Sequence, residues 1–343
     1  MIIVVTKAYN AEKTIRRAVD SILNQTYRHF KYMLLDNGST DKTSEIIAEY
    51  AEKDNRIHPL RNEINLAVTK KKENTVFWGN EEIFDLIQKK YPESLYYCAL
   101  DADDEYLPTF FEKAMALIEK YNLDIAACGT QSIQELTGEH GNRNYSVPCD
   151  LILLEHDDFI RHRAEYDEFM WTFWGKIYSL TIVQKSFIEN PLKVGFYGVD
   201  TFYATKAFTY SNRVGILAEK LHKNYILQSS VSSAAEKSGS LSRDFLRTYV
   251  LFGAYSDFLL SKSGTFIPSS NWELFASYFF YTRWTVCSTW KMEIPVMKKL
   301  STTIRLLGAY INAVGIKGLL AVCIKVITTP FRKLRRKWKV WTD

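Results

Sequence analysis

The chain has 343 residues, 47% of them hydrophobic and 24% charged, enough apolar material for one large domain or two ordinary ones and too much for global disorder. Lys and Arg exceed Asp and Glu by 44 to 39, but the tail Arg332–Asp343 holds six of the basic residues, and without it the count is 38 against 38. A neutral body with a basic end speaks against a broad nucleic-acid-binding face. The five cysteines (Cys98, Cys128, Cys149, Cys287 and Cys323) are scattered and form no Cys-x-x-Cys pair. That pattern argues against a disulfide framework or a structural zinc site and for a reducing compartment.

The opening MIIVVTKAYN has no basic lead, so it is expected to be a first strand rather than a secretory signal. Asn10 is the expected N-cap of a helix over AEKTIRRAVDSILNQ, whose Ile15, Ala18, Val19, Ile22 and Leu23 recur at helical spacing. FKYMLL reads as a second strand that breaks at the turn residues DNGST, and TSEIIAEYAEKD as a helix with Ile46, Ile47 and Tyr50 on one face. RIHPL is a weaker strand, NTVFWGNEEIFDLIQKKY a helix, SLYYCAL a strand, LPTFFEKAMALIEKYN a helix and LDIAACG a strand. Strands alternating with helices predict an α/β fold with a mostly parallel sheet flanked by helices.

Past residue 150 the alternation weakens into the aromatic WTFWGKIYSLTIVQKSFI, then GFYGVDTFYATKAF and the strand-like RVGILAEKLHKNYI. SSVSSAAEKSGS reads as a linker, and the chain beyond Leu241 as almost all helix. The expected organisation is an α/β domain over 1–235, with a nucleotide-binding half to about 110 and an acceptor half from 111, then a helical region over 241–330 and a basic tail over 331–343. No run of roughly 18 uncharged apolar residues offers a membrane span.

The stretch ALDADDEY places Asp101, Asp103, Asp104 and Glu105 directly after an apolar strand. Neighbouring carboxylates repel and hold each other's protons unless a cation or hydrogen-bond donors offset them. A solvated acidic turn is one reading; a site for Mn²⁺ or Mg²⁺, hard cations that take oxygen ligands, is the other. Three polar turns (TKAYN, DNGSTD and DADDE) fall at the carboxyl ends of strands, the edge at which open α/β sheets bind ligands. The chain has no GxxxxGK[ST] loop and no GxGxxG fingerprint, so an ordinary P-loop kinase or dinucleotide enzyme is excluded.

TKAYNAEKTIRRAVDSILNQTYRHFKYMLLDNGSTDKTSEII followed by ALDADDEY resembles glycosyltransferase family 2, nucleotide-sugar-dependent enzymes with the Rossmann-like GT-A fold. The resemblance runs over about residues 1–235, most closely to 110. It implies that Thr6, Ala8 and Tyr9 line the nucleotide base, that Asp36 or its neighbour Asn37 bonds it, and that Asp101 and Ala102 lie near the ribose or sugar. Asp103, with help from Asp104, would bridge Mn²⁺ or Mg²⁺ to the diphosphate. FYGVDTFYATKAF is similar to the segment carrying the family's general base, which makes Asp200 the expected base even though Val199 stands where a Glu is usual. WGKIYSL resembles the segment beside the acceptor, which implies Trp174 and Lys176 as acceptor contacts. Between Asn65 and Asp101 the chain departs from the family: LAVTKKKENTVFWGNEEIFDLI lacks its Ala-Arg-Asn helix start and offers Lys70, Lys71 and Lys72 to a diphosphate or to solvent.

The expected reaction is inverting transfer from a UDP-sugar to a saccharide or lipid-linked acceptor, in cell-surface polysaccharide or glycolipid synthesis. GIKGLLAVCIKVITTPFRKLRRKWKVW mixes apolar stretches with basic groups and Trp. It suits either an anionic membrane interface or a packed helix with a basic end, so the expected location is the cytoplasm, at the inner face of the membrane if the segment binds there. Two alternatives stay open at this level: a metal-dependent nucleotidyltransferase and a non-catalytic saccharide-binding scaffold.

Overall fold

The structure, a computed structural model, describes residues 1–63, 81–141, 144–188, 199–226 and positions 296, 297, 300, 303 and 304. The chain divides into two compact units, Met1–Ser238 and Gly239–Asp343. The expected linker, the basic tail, the Lys70–Lys72 run and nearly all of the expected helical region lie outside the described residues.

In chain order the first unit runs β1 (Ile2–Ala8), α1 (Ile15–Leu23), β2 (Phe30–Asn37), α2 (Thr43–Lys53), β3 (Ile57–Asn62), α3 (Glu81–Lys90) and β4 (Tyr96–Ala99). It continues with β5 (Glu105–Tyr106), α4 (Phe110–Tyr121), β6 (Ile125–Gln134), β7 (Leu151–Leu153), α5 (His156–Arg161), α6 (Arg163–Tyr166) and a 3₁₀ turn at Asp167–Trp171. β8 (Lys176–Ser179), α7 (Leu180–Ile188), α8 (Val199–Tyr210) and β9 (Val214–Ile226) complete it.

Among the described residues nine strands form one sheet in the order β3-β2-β1-β4-β8-β6-β9-β5, with β7 on β9. The first four strands are parallel, as their alternation with helices requires. The remainder is mixed. β8 enters antiparallel to both β4 and β6, whereas β6 and β9 pair in parallel. The sheet is therefore less uniformly parallel than the sequence predicts, because β8 is reached through the irregular, aromatic 156–175 stretch rather than through a right-handed helical crossover.

The central strands are covered on both faces, which is why they read as unbroken apolar runs instead of alternating ones. On one face Ile2, Val4, Tyr32, Leu34 and Cys98 join the Ile15, Ala18, Val19 and Ile22 stripe of α1 and the Phe110, Phe111 and Met115 side of α4. Fully burying each such Ile or Val is worth about 1.5–3 kcal/mol. On the other face Tyr97 packs on Phe84 of α3 and on Phe173, and Phe84 also meets Phe187 of α7.

Asn10 does not cap α1, which starts only at Ile15. It sits at φ 50°, and its Oδ1 accepts the Thr40 amide at 2.9 Å while its own amide donates to Ser39 Oγ at 3.0 Å. Its side chain is spent on joining the turn after β1 to the turn after β2. Gly38 supplies the φ of 76° on which the second turn pivots, a backbone state that side chains with a Cβ resist.

Candidate active site

The register of the parallel strands gathers the expected residues at one edge. Ala8 pairs with Asp36 and Val5 with Ala99, so the carboxyl ends of β1, β2 and β4 open side by side. The segment Thr6–Asn10, the turn at Asp36 and the acidic loop Asp101–Glu105 all follow from that edge.

At β1 and β2 the roles separate by side-chain direction. Thr6 is buried; its hydroxyl donates to the Leu100 carbonyl at 2.9 Å and accepts from Tyr32 Oη at 2.8 Å, tying β1 to the base of the acidic loop. Ala8 is buried as well, and Tyr9 stands out at 46% exposure. Asn37 Oδ1 accepts from Asn62 Nδ2 at 2.9 Å. Asp36 is 1% exposed; its Oδ1 accepts the Ser39 amide at 3.0 Å, whereas its buried Oδ2 has no hydrogen-bond donor. Arg61 comes no nearer to that oxygen than 3.6 Å. A buried carboxylate oxygen without a donor is an unpaired acceptor, costly to leave dry and well suited to a ligand N–H.

In the acidic loop, ligand oxygens of Asp101, Asp103 and Asp104 lie within 4.8 Å of one another. Burial, followed by the charges of Asp104, Asp200 and Asp103, pushes the Asp101 carboxyl well above its ordinary range. Burial and the neighbouring Asp104 charge push Asp103 up to about 7. Proteins hold such like charges together where a cation or a fixed set of donors offsets them. The donors are visible for Asp104, which is fully buried: its Oδ1 accepts the Tyr225 amide at 2.9 Å and Asn224 Nδ2 reaches its Oδ2 at 3.1 Å, while His222 Nε2 lies 3.3 Å from Oδ2 without forming a hydrogen bond. Asp104 is thus anchored to β9, which leaves Asp101 and Asp103 as the looser, half-buried carboxylates. An all-oxygen donor set of this kind fits Mn²⁺ or Mg²⁺.

Arg17 of α1 completes the loop's support. Its Nη2 donates to the Asp103 carbonyl at 2.6 Å, its Nη1 to Glu135 at 3.0 Å, and its guanidinium lies 3.6 Å from the centre of the Tyr225 ring. Nothing in the local sequence marks Arg17, a basic residue in an amphipathic helix, or Tyr225 and Asn224, which reach the loop only through β9.

Asp200 lies in the first turn of α8, where the helix dipole favours a negative charge. Burial of the carboxyl raises it above the ordinary range, with the Lys176 charge pulling the other way. Its charge also acts on Asp101, which brings the candidate base and the acidic loop into one field.

Trp174 and Lys176 are not where an acceptor would touch them. They are 6% and 1% exposed, because β8 inserts between β4 and β6 and carries both inward. Trp174 stacks on His222 with ring centres 4.4 Å apart. Lys176 Nζ donates to the carbonyls of Thr172 at 2.6 Å and Trp174 at 3.0 Å, and burial lowers its amine to about 7. They support the site from beneath.

Comparison with known proteins agrees with this geometry. The sequence model described as Glycosyl transferase family 2 matches residues 3–190. The chain is 24% identical over 254 residues to the uncharacterized glycosyltransferase YibD of Escherichia coli (strain K12), covering 72% of this chain and 67% of YibD. It is 26% identical over 242 residues to glycosyltransferase GlyA of Streptococcus pneumoniae serotype 4 (67% of this chain), so the match spans less than a third of that longer protein, 31%. Among solved structures, residues 1–349 of TarS from S. aureus superpose with a TM-score of 0.63 at 16% identity, covering 92% of this chain and 81% of that one. The same TarS fragment bound to UDP superposes with a TM-score of 0.61. The structural likeness bears on the fold, which is of the GT-A type. The family match covers more than half of the chain, and it decides the reaction class against nucleotidyl transfer: this protein is a glycosyltransferase and belongs to glycosyl transferase family 2.

Proposed function

We propose that this glycosyltransferase moves a sugar with inversion from a uridine-diphosphate sugar to the hydroxyl of a saccharide or lipid-linked acceptor, in the synthesis of a cell-surface polysaccharide or glycolipid. The observation that carries the reading is the convergence of Asp101, Asp103 and Asp104 within 4.8 Å at the sheet edge that also holds the donorless Oδ2 of Asp36. Uracil presents an imide N–H, the partner that a buried carboxylate oxygen lacks. TarS has been crystallised with UDP and with UDP-GlcNAc, which supports a uridine donor here.

Asp103, with Asp101, would hold Mn²⁺ or Mg²⁺, and the ion when bound supplies neutralising charge to the diphosphate leaving group. Tyr9, with its exposed ring, flanks the base, and the backbone from Thr6 to Ala8 forms the floor beneath it. Ala102, between the two looser carboxylates, lies toward the ribose. Asp200 takes the proton from the acceptor hydroxyl as that oxygen bonds to the anomeric carbon and the bond from that carbon to the diphosphate oxygen breaks. No described helix is long and apolar enough to cross a membrane. In this reading the enzyme works in the cytoplasm and meets a lipid-linked acceptor at the inner membrane face through its basic C-terminal segment.

The test is calorimetric titration of UDP into the protein with Mn²⁺ or with EDTA, using the native chain and Asp103→Ala. Binding that requires Mn²⁺ and disappears in the variant is expected. UDP binding indifferent to both EDTA and the substitution refutes the assigned role of the acidic loop.

A further inference from the structure

A guanidinium that reaches a cluster of carboxylates ordinarily takes one of them in a bidentate pair, because two parallel charge-assisted bonds are stronger than bonds to neutral oxygens. Arg17 reaches the acidic loop through a neutral oxygen instead. Its Nη2 donates to the main-chain carbonyl of Asp103 at 2.6 Å, while its Nη1 spans both oxygens of Glu135, at 3.0 and 3.2 Å. Its Nε is buried and has no partner, so the placement forgoes a hydrogen bond that a freer arginine would make with water. The guanidinium is seated on the Tyr225 ring, whose centre lies 3.6 Å away. Tyr225 is itself tied to the loop twice, by its amide to Asp104 Oδ1 at 2.9 Å and by its hydroxyl to Glu105 Oε1 at 3.2 Å.

Glu135 is fixed from its own side. It follows β6, and its amide donates to the Ile226 carbonyl at 3.3 Å, beside Tyr225. The charges of Arg17 and Glu135 both reach the Asp103 carboxyl, and they act on it with opposite sign. Paired, the two offset each other, so the arginine can grip the Asp103 backbone without repelling a divalent cation. Among the described residues the other cation on this loop is spoken for as well, since Lys223 pairs with Glu105. Were Glu135 absent, the fork of Arg17 would be free within reach of the carboxylate that the ion needs.

We propose that Arg17 and Glu135 are positioning residues for the transfer reaction: Arg17 clamps the peptide carbonyl of Asp103, and Glu135 occupies the rest of its fork so that the Asp103 carboxylate stays open to the metal. Both act through Asp103 and touch neither donor nor acceptor. The assignment rests on the reading of Asp103 as a ligand of Mn²⁺ or Mg²⁺ beside the donor diphosphate.

The probe is Mn²⁺, titrated into the full chain in the presence of UDP and followed by the electron paramagnetic resonance signal of the free ion, with melting temperatures read alongside. Arg17→Met keeps the length of the side chain and removes the fork. It is expected to weaken Mn²⁺ binding about tenfold, the scale of effect of residues that orient metal ligands. Glu135→Ala is expected to weaken it by about the same factor, because the released arginine turns onto the Asp103 carboxylate. In the Glu135→Ala background, Arg17→Met then tightens Mn²⁺ binding. That reversal of sign separates the clamp from a merely structural role, which gives a loss in both backgrounds, and from plain charge repulsion, which gives a gain in both. Either of those patterns overturns the proposal, as does native Mn²⁺ affinity in Glu135→Ala. If Arg17→Met lowers the melting temperature, Arg17→Lys, which keeps the charge but not the fork, is titrated with the same expected loss, and native affinity there overturns the clamp. Mn²⁺ binding that survives Asp103→Ala overturns the reading of the metal site instead, so the two failures are told apart.

Discussion

Tyr106→Phe isolates one oxygen atom on which the loop's geometry depends. The Tyr106 hydroxyl is enclosed between two backbones: it donates to the Ala99 carbonyl at 2.7 Å and accepts the Gly175 amide at 2.7 Å, joining the end of β4 to the turn before β8. Phenylalanine keeps the ring contacts, 4.4 Å to Phe110 and 5.2 Å to His222 between centres, so no sizeable cavity opens. What is lost is two buried hydrogen bonds, leaving one donor and one acceptor dry. Each such group costs about 1–3 kcal/mol, which sums to about 2–6 kcal/mol. In a unit of 238 residues, each kcal/mol shifts the midpoint by about 2–4 °C, so the melting temperature should fall by roughly 4–24 °C. Urea unfolding, followed by tryptophan fluorescence, should show the same loss with an unchanged slope, since the substitution exposes no new surface. A loss below about 1 kcal/mol would refute the reasoning, because it would mean that the two backbone groups find other partners when the hydroxyl is gone.

Four further outcomes are expected. Asp200→Asn should leave UDP affinity unchanged and lower turnover about 10²–10⁴-fold, the usual contribution of a positioned base, as read by UDP release from a UDP-sugar. That base works as a carboxylate, and its surroundings raise its proton affinity. Turnover therefore falls as pH drops through a limb above the ordinary carboxylate range, and Lys176→Met, which removes the opposing charge, moves the limb to higher pH. Asp36→Asn trades an open acceptor for an amide, and calorimetry should show UDP binding at least about tenfold weaker, equivalent to about 1.4 kcal/mol. Gly175→Ala meets no atom nearer than 3.8 Å but must hold φ 74°, so urea unfolding should register a strain of about 1–2 kcal/mol with no sign of a clash.

The parts of the fold that local chemistry encodes were legible. β1, β2 and β4 are buried on both faces and so appear as unbroken apolar runs, and the helical spacing of Ile15, Ala18, Val19 and Ile22 marks the buried face of α1. The carboxylates of ALDADDEY stood out because their crowding is itself a local feature, and the order of turns placed them at the same sheet edge as Asp36.

Other features depended on which distant segment arrives where. Asn10 has the residue type of a helix cap, but its side chain is taken by a turn 30 residues away. Trp174 and Lys176 sit in a sequence that resembles an acceptor-facing segment, and the insertion of β8 between β4 and β6 buries them. Arg17 and Tyr145 carry no local mark at all; the hydrogen-bond partners of Arg17 and His222 lie 86 to 118 positions away.

The sequence by itself determined the class of the sheet, the faces its helices bury and the chemistry of the acidic loop, because periodicity and charge crowding act over a few residues. Only the tertiary structure decided which donors offset those charges and which expected contacts are buried. Strand order and register are settled by long-range pairing, and the same residue becomes a ligand contact, a support or a core side chain according to the segment that packs against it.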